Sequence, residues 1–104
     1  MILADTSAWI EFIRGTDSRA DRRMSELLSD RGQLAATDPV IMEVASGARS
    51  DRQERDLRQL LTNVHDLAFE VVADFDGAAR IYRRCRQVGV TPRGLIDCMI
   101  AAVA

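Results

Sequence analysis

The chain contains no lysine: every one of its 14 basic residues is arginine, against 16 acidic ones, for a net charge of −2. A global basic footprint for nucleic acid is therefore absent. An arginine-only repertoire reads first as genome composition, although a planar, permanent cation also suits phosphate. Cysteine is scarce as well. Cys85 and Cys98 form no metal-ligand spacing with the lone His65, which argues against zinc and for free buried thiols. No apolar run approaches the ~18 residues of a membrane span. The start, MILADTSAWI, lacks the basic residues and long apolar stretch of a secretory signal, so the expected location is cytoplasmic, with no membrane partner. Aromatics make up only 5% of the 104 residues, yet 47% are hydrophobic, enough for one modest core.

Short apolar segments alternate with helical patterns. MILA is a continuous apolar run without alternation, as expected of a strand buried on both faces of a parallel sheet. Asp-Thr-Ser follows, then a short helix, AWIEFIR, closed by Gly15. Ser18 opens a second helix with Ala20, Met24, Leu27 and Leu28 on its apolar stripe. QLAAT is a weaker strand candidate. Asp38-Pro39 predicts an N-cap and helix start, and Ser50 with Gln53 predicts a capping box. DLAFEVV reads as a third strand, a helix is expected from about Phe75 to Val88, and Thr91-Pro92 predicts the start of the last helix. Strands separated by helices imply an α/β domain with a parallel sheet.

Three carboxylates stand out to different degrees. Asp5 lies at the carboxyl end of the first strand, where open parallel sheets place their ligand sites, but a plain helix cap explains it equally well. Asp97 sits in LIDCMIAAVA. On a helical wheel it shares a small-residue face with Gly94, Cys98, Ala101 and Ala104, opposite Leu95, Ile96, Met99, Ile100 and Val103. If buried there it must be paired, protonated or coordinated. An ion pair with an arginine, or partial exposure, is the simpler account. Glu43 lies off the Val40, Ile41 and Val44 stripe, and pattern alone does not single it out.

In order and spacing, MILADTSAWIEFIRG, PVIMEVASGAR and RGLIDCMIAAVA resemble the VapC-type PIN-domain toxins of bacterial type II toxin–antitoxin systems. The resemblance implies a three-layer PIN-like fold, with a parallel sheet flanked by helices. It places Asp5, Glu43 and Asp97 on three of the family's four acidic active-site positions, with Thr6 and Ser7 on its hydroxyl positions. It implies an Mg²⁺- or Mn²⁺-dependent endoribonuclease that hydrolyses RNA. A VapB-like antitoxin and a homodimer follow from the same resemblance. The all-oxygen donor set agrees with a hard cation. Arg93, one helical turn before Asp97, is placed to steer phosphate or to pair with that acid.

Such toxins continue into two further strands and a fourth acid. LIDCMIAAVA offers no terminal Gly, Asn or cation, so residues 1–104 are expected to form a single PIN domain incomplete at its C-terminus, with MILA open at a sheet edge. One alternative is therefore a non-catalytic PIN domain that binds an antitoxin or dimerises. A phosphoacceptor domain of the dehalogenase kind is disfavoured, because Ser7 stands where its second Asp belongs.

Overall fold

A computed structural model describes residues 1–30, 32–92 and 94–104. Two compact units divide the chain, Met1–Leu67 and Ala68–Ala104.

The first unit holds a parallel sheet in the order β1-β2-β3, formed by Ile2–Leu3, Leu34–Thr37 and His65–Leu67. Register pairs Leu3 with Ala35, and Ala35 with His65. The expected α/β class with parallel strands is what the chain forms. β2 is buried along its whole length, and its small side chains leave room for elements packed on either face. β1 lies at an edge with Ile2 exposed, so only Ala4 of the MILA run is buried.

Four helices complete this unit: α1 (Thr6–Arg14), α2 (Arg19–Ser29), α3 (Asp38–Ser46) and α4 (Asp51–Thr62). Gly15 ends α1 at φ 62°, a left-handed conformation that disfavours any side chain. Ser18 caps α2 by accepting from the Asp21 amide at 3.1 Å. Ser50 does the same for Gln53 at 3.1 Å, while the Gln53 side chain accepts from the Arg49 amide at 2.6 Å. The expected capping box is thus built, reaching one residue further back than the standard form. The start of α3 differs by one position. Thr37 carries the extended cap dihedrals, and Asp38 takes the first helical place before Pro39. Trp9, fully buried on α1, anchors the core with Met24, Leu34, Val40, Val44 and Leu61.

The second unit is a pair of packed helices, α5 (Val71–Gln87) and α6 (Leu95–Val103). The expected strand over DLAFEVV is cut short at Leu67, because the Asp74 carboxylate accepts from the Glu70 amide at 2.7 Å and starts a helix. Val71 and Val72 consequently sit on that helix, 65% and 87% exposed. α6 also begins later than the Thr91-Pro92 signal, with Gly94 at its N-cap. Both expected faces of its wheel contribute to packing: Ile100 of the large-residue face and Cys98 of the small one are buried, while Leu95 is exposed. A Cβ on Gly77 would lie 3.3 Å from that of Ala102, which marks the close approach of α5 and α6. No helix among the described residues is long and apolar enough to cross a membrane.

Candidate active site

Asp5 leaves the end of β1 in extended conformation and caps α1. Its Oδ1 accepts both from the Ala8 amide, at 3.0 Å, and from the Ser7 hydroxyl, at 2.9 Å. The cap reading is therefore correct, but it uses one oxygen only. Among the described residues Oδ2 has no hydrogen-bond donor, and the residue is exposed.

Glu43 projects from α3 and is half-buried. The Thr6 hydroxyl donates to its Oε1 at 2.7 Å, a bond that joins α1 to α3 across 37 positions of sequence. Again one oxygen is fixed and the other is left open among the described residues. A charge-assisted bond of this kind contributes about 1.5–3 kcal/mol when shielded, and less at this partly exposed place. Its larger effect is positional, since it selects one rotamer of a flexible glutamate. Thr6 and Ser7 thus spend their protons on the carboxylates and keep only acceptor lone pairs for other groups.

Asp97 belongs to the second unit. It stands exposed in the first turn of α6, where a negative charge complements the helix dipole, and it forms no ion pair among the described residues. Exposure, not a buried pair, is what the helix provides. Its neighbour Cys98 is buried, and that burial raises the thiol pKa, with the Cys85 and Asp97 charges adding to the effect. Arg93 lies outside the described residues.

The one imidazole stands apart from Asp5. By register His65 is level with Leu3, two strands across and two residues short of Asp5, on the order of 10 Å away. That exceeds hydrogen-bond reach for a general base. Thr37, at the carboxyl end of β2, is fully buried with no partner for its hydroxyl among the described residues, as is the indole N–H of Trp9.

The Thr6–Glu43 bond has no local sequence signature. A hydroxyl directly after a strand-end acid is a hint, but which acid it would hold, dozens of residues away, depends on how α1 and α3 meet.

Comparison with known proteins agrees with this geometry. The PIN-domain family profile matches residues 2–104. VapC ribonuclease Mb1587 of Mycobacterium bovis is 42% identical over 105 residues, covering 100% of this chain and 78% of its own. Ribonuclease VapC11 of Mycobacterium tuberculosis gives the same identity and coverage. With a parallel sheet, a strand-end aspartate and a glutamate held beside α1, the chain belongs to the PIN-domain family as one of its VapC-type members.

Proposed function

We propose that this protein is a metal-dependent ribonuclease toxin of a VapBC-type module, hydrolysing RNA phosphodiester bonds. The observation that carries the reading is the paired arrangement in the first unit. Asp5 and Glu43 are each fixed through one oxygen by a neighbouring hydroxyl and keep the other open. The names of the relatives, both ribonucleases, support the same activity.

Carboxylate and hydroxyl oxygens without imidazole or thiolate suit Mg²⁺ or Mn²⁺. Asp5 and Glu43 would hold the ion from the first unit, with Asp97 proposed as a further ligand on the family resemblance. Among the described residues no three such side chains are gathered into an ion site. When bound, the ion would supply an acidified water and neutralise charge on phosphoryl oxygens. The chain's own groups prepare for this. Ser7 and the Ala8 amide hold Asp5, Thr6 holds Glu43, and both acids are set before any substrate arrives. With His65 out of reach, no side-chain imidazole competes for the role of base.

A VapB-like antitoxin, a homodimer and a cytoplasmic setting complete the proposal. Asp5→Asn and Asp97→Asn should each abolish RNA cleavage in Mg²⁺ or Mn²⁺, with unchanged circular dichroism. Parent-like cleavage by both would refute the site. If the parent binds antitoxin yet cuts no RNA, the protein is the non-catalytic module instead.

A further inference from the structure

A cavity of about 610 Å³ opens in the first unit at the amino end of the sheet, within the size range of pockets that take small ligands. Leu34 in its wall pairs with Ile2, three residues before Asp5, so the acid lies about 10 Å further along the strands. The cavity is therefore separate from the candidate active site. Leu27 and Leu28 of α2, Leu34 of β2, and Leu60 and Val64 around the end of α4 make an apolar lining. Its polar side chains are few: Asp30, Asn63 and His65, all exposed. The His65 imidazole is set beside Gly32, its Nε2 3.6 Å from where a Cβ would lie.

The charge at the mouth selects the ligand. α2 ends on Asp30 and α4 on Asn63, and neither helix has a basic residue in its last turn, in a chain with 14 arginines. Both helices bring the negative ends of their dipoles to the cavity, and α2 adds a carboxylate at the end where a carboxylate is least favoured. Among the described residues no cation lines the cavity; Arg31 lies outside them. A ligand here meets aliphatic walls with its body and negative charge with its head. The structure assigns the cavity to a small amphipathic cation, a primary ammonium on a short aliphatic chain. An anion would be repelled by Asp30 and both helix ends, and a neutral apolar molecule would leave them without a complement. This assignment does not depend on the nuclease reading.

The test compares three probes that share one aliphatic chain and differ only in the head: hexylammonium chloride, hexan-1-ol and sodium hexanoate. Each is titrated into the ¹⁵N-labelled full chain at low salt, and amide shifts are followed. Shifts should fall on Gly32, Leu34, Asn63 and His65 and spare Asp5 and Glu43. Hexylammonium should bind about fivefold more tightly than hexan-1-ol, and hexanoate most weakly. Asp30→Asn alters an exposed position and should remove most of the cation's advantage while leaving hexan-1-ol binding unchanged. Leu60→Trp fills the cavity and should weaken hexylammonium and hexan-1-ol alike; Leu28→Phe makes the same check with a smaller addition, circular dichroism confirming the fold of each. Equal binding of cation and alcohol by the parent overturns the inference. So does a cation preference that Asp30→Asn leaves intact, or shifts centred on Asp5 and Glu43, which would mean that the active-site acids take the ammonium. Asp5→Asn keeps the readings separate, since it should stop RNA cleavage and leave hexylammonium binding as it was.

Discussion

Residues 1–67 and 68–104 solve the problem of holding an acid in opposite ways. In the first unit, α1 and α3 are tied by the Thr6–Glu43 bond and packed around Trp9, so the acids are placed by interlocking parts. In the second, Asp97 is placed by its helix alone, and α6 is held by packing against α5. All buried apolar side chains among the described residues except Ala78, Cys98 and Ile100 belong to the first unit. Val71, Val72, Phe75 and Leu95 are exposed in the second. The contrast implies that the first unit stores most of the stability, and that the position of Asp97 is the easier one to disturb.

The largest expected effect tests where that stability resides. Trp9→Ala empties a site of 0% exposure and should cost about 3–5 kcal/mol in urea unfolding. Phe75→Ala, at a position 51% exposed and touching Phe69 edge-on at 4.7 Å between ring centroids, should cost at most about 1 kcal/mol. Equal costs would mean the second unit is packed as tightly as the first, and the contrast would fail.

A smaller effect addresses Asp97 without touching it. Gly77→Leu forces a side chain into the α5–α6 contact, where even a Cβ lies 3.3 Å from Ala102. The expected loss is about 1–3 kcal/mol. Hydrogen exchange should speed up in α6 while amides of β2 stay protected. RNA cleavage should fall with α6 protection, since Asp97 rides on that helix. Faster exchange in β2 to the same extent would show that the units open together.

The two units also differed in how far their sequence disclosed them. In the first, capping residues act locally, so Ser18 and Ser50 marked their helices correctly and Asp5 was recognisable as a cap. β2 was the faint strand, because Ala35 and Ala36 carry little β signal. Its centrality follows from burial, which small side chains permit but do not announce. In the second unit Val71-Val72 imitated a strand until the Asp74 cap decided for helix. The wheel of α6 left its inner side undecided because either of its faces was apolar or small enough to pack. Glu43 was legible only through the family resemblance. Its hydrogen bond to Thr6 is a tertiary contact that no local pattern encodes.

The smallest effect concerns one of two places where the tighter unit buries a polar atom without a partner among the described residues. Thr37 ends the buried central strand, and its hydroxyl has no partner among the described residues, nor does it cap α3. A buried, unpaired hydroxyl costs about 1–3 kcal/mol of desolvation. Thr37→Val keeps the β-branched shape and the extended backbone while removing that polar atom. The variant should be more stable by about 1 kcal/mol, seen as a higher urea midpoint with an unchanged slope. A loss of stability would show instead that the hydroxyl is satisfied by an internal water. That result would remove one of the two buried unpartnered polar atoms found among the described residues, both in the first unit, and widen the contrast with the second.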